Sequence, residues 1–464
     1  MRMWAKILCL GGVAAFVAGI GIVTFVGPWP TYSDGFEDER YFKQALADIE
    51  SNAAESSIDE DPGRLKAGWA ARSIVPKPGT PMAGYGARRG ALSTGVHDAV
   101  FVKALALSDG KDTAVVVGAD MLIIPENVAE MVREAVGEAT PLTANDIFFG
   151  ASHTHCSVGA FGPGVAAYVT GGKYDPDIPP FLTERFTEAI LEAFEGMEPA
   201  KLAHGDVSAP EYIKNRTRNA PVDDELSYLL VEQSDGDRCY TVSYSAHPTV
   251  IGSSTMEYTA EFPGYCQRAL EADGAFALYL GGALGSMGPR APEGADDFAR
   301  VEAMGEALAD LVLRDARNAE FEDKLDVVSV GVLLQLPPLQ IRVMSPEWRF
   351  SKFLPPLLGI DWDGWIHGLR VGDVVMIGTP CDLSGEISVK WKGAAQEQGL
   401  DLWATSFCGD YVGYVSPDKY YDQVTDKNGN PEYETGMMSW IGPHQEAYLT
   451  ALKDHLITAM TDGG

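Results

Sequence analysis

Residues 147–155 read Ile-Phe-Phe-Gly-Ala-Ser-His-Thr-His. The apolar start reads as a buried strand that runs into two histidines. Alternate side chains of a strand share a face, so this spacing predicts that His153 and His155 point the same way. Two imidazoles held side by side at a strand end are half of a zinc site, or else two structural histidines. Small residues follow at once (Cys156, Ser157, Gly159, Ala160). The strand therefore opens into a loop whose backbone a ligand could approach. Cys156 is a further candidate ligand, or a small buried hydrophobe.

Other stretches set polar residues against glycine or proline at strand ends. These are Asn215-Arg216, Ser245-Ala246-His247-Pro248-Thr249, Gly378-Thr379-Pro380-Cys381-Asp382 and Tyr411-Val412-Gly413-Tyr414-Val415. Asp120 closes an apolar run, as a functional carboxylate or as a cap. His247 before proline and Asp382 after a strand each have a plain structural reading as well.

The elements that must position these residues alternate irregularly. Strands are expected at Ala99–Ser108, Thr113–Gly118, Ser227–Glu232, Arg238–Ser245, Ala277–Leu280, Val327–Leu336 and Val371–Gly378. Helices are expected from Pro125 to Val136, Phe181 to Phe194, Pro263 to Ala272 and Asp296 to Asn318, two of them opened by proline. There is no internal repeat. The expectation is an α/β fold, mixed, with layered sheets and flanking helices, forming one large catalytic domain over residues 67–464.

The chain has 464 residues, 46% hydrophobic, enough for a large core. Its net charge is −31, with 66 acidic against 35 basic residues, which excludes nucleic acid as a natural partner. Arg2 and Lys6 precede an uncharged apolar run from Ile7 to Val26, and Asp34, Glu37, Asp38 and Glu39 follow it. Residues 1–28 are therefore expected to be a signal anchor or signal peptide, with the body outside the cytoplasm and membrane-attached or secreted. Residues 29–66 read as an acidic tether with a short helix near Tyr41 to Ile49. Five cysteines lie beyond the apolar run, an odd number without Cys-x-x-Cys, so no dense disulfide framework is expected.

Taken together, these segments resemble the neutral ceramidase family, zinc-dependent amidases that cut the N-acyl bond of ceramide. The resemblance runs from about Ala67 to His444. Ala151-Ser152-His153-Thr154-His155 is similar to the family's strand followed by His-Thr-His. Asn215-Arg216-Thr217 is similar to its Asn-Arg-Ser, and Ala246-His247-Pro248-Thr249 to its Val-His-Pro-Thr. Tyr411 to Ser416, Tyr433-Glu434 and Gly442-Pro443-His444 resemble its later motifs, in the family's order. The resemblance implies a Zn²⁺ cofactor held by His153, His247, Asp382 and Tyr414. It implies that His155, Arg216 and Tyr433 stand near the reacting amide of a lipid-like N-acyl substrate. Such a donor set suits Zn²⁺ with room for water, and zinc would lower that water's pKa to roughly 7.

Three departures stand out. The family's Pro-Gly-Glu reads Pro380-Cys381-Asp382, one methylene shorter, with Glu386 as the fallback carboxylate. Its Gly-Asp-x-Ser-Pro reads Gly285-Ser286-Met287-Gly288-Pro289, so the motif serine is Gly288. The C-terminal β-sandwich of longer ceramidases is not expected in this sequence. Two other readings compete. One is a serine hydrolase using Ser286, or Ser416 with Lys419 in a Ser-x-x-Lys pattern. The other is a non-catalytic, membrane-tethered lipid-binding relative.

Overall fold

The computed structural model describes residues 16, 19–21, 24–54, 62–343, 345–360, 362–425 and 432–461. Two sheets pack face to face between helices. The larger has eight strands in the order Phe276–Gly281, Arg238–Tyr244, Glu225–Gln233, Glu198–Ser208, Lys66–Ser73, Phe101–Ser108, Thr113–Ala119 and Ile147–Ala151. Pairing is antiparallel except at its two ends, where Arg238–Tyr244 runs parallel to Phe276–Gly281 and Thr113–Ala119 to Ile147–Ala151. The smaller sheet has the order Val327–Gln335, Asp363–Val371, Val374–Thr379 and Asp401–Ser406, the last pair parallel.

One face of each sheet meets the other in a shared core. Leu105, Val116, Phe148, Leu229 and Leu278 pack there with Val327, Leu369, Met376 and Trp403. The outer face of the large sheet is covered over one half by helices Glu126–Ala139 and Ile178–Glu195, through Val128, Val132, Leu182 and Phe186. Over the other half lie Glu261–Leu270 and Asp297–Asp315, through Phe262, Met304 and Leu308. The small sheet is covered by Arg40–Ala53, Gly385–Gln396 and Gln445–Thr461. The mixed α/β layering read from the sequence is this architecture. The sequence reading passes over the strands Lys66–Ser73, Glu198–Ser208 and Asp363–Val371 and the helices Gly385–Gln396 and Gln445–Thr461.

The stretch expected to be a tether is docked instead. Tyr32 exchanges hydrogen bonds with the Gln340 side chain, and just before that stretch Val26–Gly27, at the end of the apolar run, pairs with Phe350 and Arg349. Helix Arg40–Ala53 buries Phe42, Ala45 and Ile49, spaced three and four apart on one face. Phe36 stands edge-on to Tyr448 of the last helix at 5.5 Å, and Phe42 lies tilted against the same ring at 6.0 Å. The apolar run Ile7 to Val26 lies largely outside the described residues. No helix among the described residues is long and apolar enough to cross a membrane.

Strand ends converge at one place. The large sheet curls until Ile147–Ala151 and Phe276–Gly281, its two edges, approach each other. A Cβ on Gly150 would come 2.7 Å from a terminal methyl of Leu280, so glycine lets the two edges close without moving that side chain. The carboxyl ends of Ile147–Ala151, Arg238–Tyr244, Phe276–Gly281, Val374–Thr379 and Asp401–Ser406 each release a loop into the same region. They deliver His153, His247, Ser286, Asp382 and Phe407 in turn.

Candidate metal centre

His153 and His155 meet by a different route from strand alternation. The strand stops at Ala151, and His153 takes a left-handed backbone with φ +66°. The loop, not the pleat, turns the two rings edge to face, 4.9 Å apart. Room for His155 depends on Gly84, whose φ is +118°; a Cβ there would lie 2.7 Å from His155 Cα.

The Nε2 atom of His155 lies 3.3 Å from His153 Nε2 and 3.1 Å from His247 Nε2. His153 and His247 are almost wholly buried. The Nδ1 of His153 meets the Leu122 carbonyl at 2.5 Å, and that of His247 meets the Leu284 carbonyl at 3.3 Å. A carbonyl only accepts, so the network assigns the proton to Nδ1 in both rings and leaves each Nε2 a lone pair. This backing by a carbonyl is the usual support of a metal-ligating histidine. The Nδ1 of His155 is buried and has no hydrogen-bond partner among the described residues. His155 therefore shares the cluster without the support that marks its two neighbours.

Asp382 completes the set. Its Oδ1 lies 3.6 Å from His153 Nε2, buried and without a hydrogen-bond partner among the described residues. Its Oδ2 accepts from the Tyr411 hydroxyl at 2.9 Å. Asp382 and Tyr414 are direct neighbours across a short parallel pair, Asp382–Leu383 with Tyr414–Val415. The Tyr414 hydroxyl accepts from Arg216 Nη2 at 3.3 Å, and the Tyr433 ring stands edge-on to Tyr414 at 5.2 Å, half exposed.

Burial sets the electrostatics. It pushes His153 down to about 3 and His155 and His247 well below their ordinary value, with the Arg216 cation adding to the effect. It pushes Asp382 up to about 7 against the Tyr411 hydrogen bond, and Tyr414 well above its usual range. Neutral imidazoles beside a carboxyl and a phenol that resist ionisation are a poor arrangement alone and a good one around a dication. The orphaned Asp382 Oδ1 and the two lone pairs of fixed direction fit a divalent metal, and the nitrogen and oxygen donors suit zinc. His153, His155 and His247 form the one group of this kind among the described residues.

Arg216 is held from both sides. Its Nε and Nη2 donate to the Gly285 carbonyl at 3.3 and 2.9 Å, and its backbone N–H donates to the Ser286 carbonyl. Asn215 beside it donates to Glu386 Oε1 at 3.0 Å, and Ser384 donates to Glu386 Oε2 at 2.9 Å. Glu386, the fallback ligand, is thus spent on the loop that carries Arg216 and is not part of the histidine cluster. Sequence reasoning missed Tyr411 as the carboxylate's partner, and Phe407, whose ring stacks on His153 at 4.2 Å. The Tyr-x-x-Tyr spacing was the available signal for the first; the second left none.

Several sequence candidates fall elsewhere. Cys156 lies against the Arg88 guanidinium at 3.2 Å, outside the cluster. Asp120 accepts from the Phe101 backbone and the Gln267 amide, both at 3.0 Å, as a structural carboxylate. Ser286 is fully buried; its Oγ accepts from the Gly385 N–H and lies 2.9 Å from Ser384 Oγ, whose one proton goes to Glu386. Ser416 is also fully buried and accepts from Gln445 at 2.9 Å, while the Lys419 ammonium lies over the Tyr420 ring. Neither serine is set up as a nucleophile.

No family model matches the chain, and no curated protein matches it. Among solved structures, it superposes on a neutral ceramidase from Pseudomonas aeruginosa with a TM-score of 0.73, covering 87% of this chain and 75% of that one at 16% identity. A ceramidase complexed with C2 superposes equally well, covering 86% and 75% at the same identity. At this identity the likeness establishes a shared fold.

Proposed function

We propose, with the neutral ceramidase fold as premise, that this chain is a zinc-dependent hydrolase of N-acyl amides, acting on ceramide or a ceramide-like lipid. The reading rests on one observation: His153 and His247, each with Nδ1 held by a backbone carbonyl, turn their Nε2 lone pairs toward His155 Nε2, and the unpartnered Oδ1 of Asp382 lies 3.6 Å from His153 Nε2. His153, His247, Asp382 and Tyr414 would hold the ion. When bound, zinc would act as a Lewis acid and make a water nucleophilic near neutral pH, where water alone is not.

The surrounding residues have separate tasks. Arg216 is buried beside Tyr414 and fixed by the Gly285 carbonyl, a preorganised cation for the oxyanion that forms when the amide carbonyl is attacked. His155 lacks a fixed partner at Nδ1, so it is free to hand a proton to the leaving amine. The half-exposed Tyr433 hydroxyl stands beside Tyr414 and can donate to the same substrate. With Ser286 and Ser416 buried and committed, a nucleophilic serine has no support here.

The test is metal analysis of the purified full chain, followed by a screen of N-acyl amides with and without a chelator. One zinc per chain and chelator-sensitive amide cleavage are expected. Cleavage that survives complete removal of metal would end the zinc reading.

A further inference from the structure

Gly288 stands where the resembled family has serine, and its surroundings are cationic. A Cβ placed on Gly288 would meet Arg216 Cβ at 3.3 Å and the Lys214 side chain at 3.7 Å. Gly288 lines a cavity of about 340 Å³ together with Lys214, Arg216, Thr249, Val250 and Arg300 among others. Thr249 and Val250 lie just past His247-Pro248, and Arg216, which lines the cavity, also contacts Tyr414, so the cavity adjoins the metal centre. No carboxylate is among its lining residues within the described chain; Glu261 accepts from the Val250 N–H behind the wall and Asp297 pairs with Arg300. In a chain with nearly two acids for every base, three cations around one cavity stand against the general charge.

The cations are unequally committed. Arg300 pairs with Asp297 at 3.0 Å, both of them partly exposed. Arg216 uses Nε and Nη2 on neutral oxygens, those of Gly285 and Tyr414, so no carboxylate quenches it by hydrogen bonding. The Lys214 ammonium has no carboxylate partner among the described residues and is exposed at the cavity. Lys214 and Gly288 face each other across a short antiparallel pair, Ile213–Asn215 with Met287–Pro289. The same pair carries Arg216 next in sequence.

We propose that this cavity is a head-group subsite for an anion, so that the preferred substrate is an N-acyl amide whose amine side bears a carboxylate or a phosphate. The inference rests on the amidase reading of the adjoining centre. Lys214 supplies the free cation, and the absence of a side chain at Gly288 leaves room beside it. A neutral sphingoid head group would leave Lys214 without a partner.

The experiment uses the full metal-loaded chain and three substrates of one acyl length: N-lauroylglycine, N-lauroyl phosphoethanolamine and N-lauroylethanolamine. The expected result is a kcat/KM at least about tenfold higher for one or both anionic substrates, the worth of a charge-assisted contact. The first two separate carboxylate from phosphate. Lys214→Ala should raise KM for the anionic substrate about tenfold, leave the neutral one unchanged, and be rescued in part by Lys214→Arg. Equal cleavage of all three, unaffected by Lys214→Ala, overturns the subsite while leaving the amidase standing. If none is cleaved, the amidase reading fails and calorimetry decides the subsite. Tighter binding of N-lauroylglycine to wild type than to Lys214→Ala supports it; equal binding overturns it.

Discussion

The ring of Phe407 lies flat on the imidazole of His153, 4.2 Å between centres and 7° from parallel, and both residues have left-handed backbones with φ +66°. That conformation costs a side-chain-bearing residue roughly 1–2 kcal/mol. The two loops hold each other in it, one from each sheet. Phe407→Ala removes a fully buried ring and should destabilise the fold by about 3–5 kcal/mol. Metal should also be lost more readily to a chelator, because His153 is no longer braced. Denaturant unfolding and metal retention check both, and an unchanged chelator response would show that His153 needs no such brace.

The ligand assignment can be separated residue by residue. His153→Ala, His247→Ala and Asp382→Ala should each lose the metal and the activity together. Glu386→Ala should keep its metal, since that carboxylate is engaged with Asn215 and Ser384. Metal content of the four purified variants is the measurement. A full complement in His153→Ala would refute the assignment.

Tyr411→Phe deletes one hydroxyl from the interior and keeps the ring. The Oδ2 of Asp382 then loses its donor. Such supporting contacts are typically worth 10–100-fold in metal affinity, and a loss within roughly that range is expected. Competition with a chromophoric chelator measures it; equal affinity would mean that Tyr411 does not orient the carboxylate.

Arg216→Ala should lower turnover roughly 10²–10³-fold with the metal retained, the usual effect of removing an oxyanion donor. Ser286→Ala should cost less than about tenfold, since its hydroxyl is buried and engaged with Ser384 and the Gly385 N–H. Turnover of both variants on one N-acyl substrate is the comparison. A Ser286→Ala protein with metal and no turnover would point back to a serine mechanism.

The ion pair His204–Asp401 ties the two sheets together at their rim, 3.1 Å apart. The hydrogen bond to Asp401 raises the His204 pKa above its ordinary value. A raised histidine contributes stability below its unfolded pKa of about 6.5, and that contribution disappears as pH rises through the folded value. The pair is partly exposed, so less than about 1 kcal/mol is at stake. Melting of wild type and His204→Gln should therefore differ slightly at pH 5–6 and coincide by pH 8. A difference that grows with pH would reverse the sign.

Much of this centre was legible because its parts sit at strand ends, where apolar runs stop abruptly at polar residues. His153, His247 and Asp382 each follow such a run by a few residues. Their partners were not legible, because Leu122 and Leu284 act through backbone carbonyls that any residue has. The choice between Asp382 and Glu386 could not be made from spacing, since four residues in a strand-to-helix corner separate opposite sides of Arg216. The helix Arg40–Ala53 was readable in Phe42, Ala45 and Ile49. The surrounding acidic residues obscured it, because a solvated outer face and a tether have the same composition.

The docking of that first helix also sets an order of events in time. Its apolar stripe, with Phe36, is finished by Tyr448 and its neighbours, about 400 residues later in the chain. At a synthesis rate of roughly 5–20 residues per second, the stripe waits some 20–80 s for the last part of the surface that covers it, after strand Val327–Gln335 has supplied the first. The helix cannot be a folding nucleus on the ribosome. It is a late arrival, and a chain stalled before the final helix would leave Phe36 and Phe42 without their aromatic cover and prone to association.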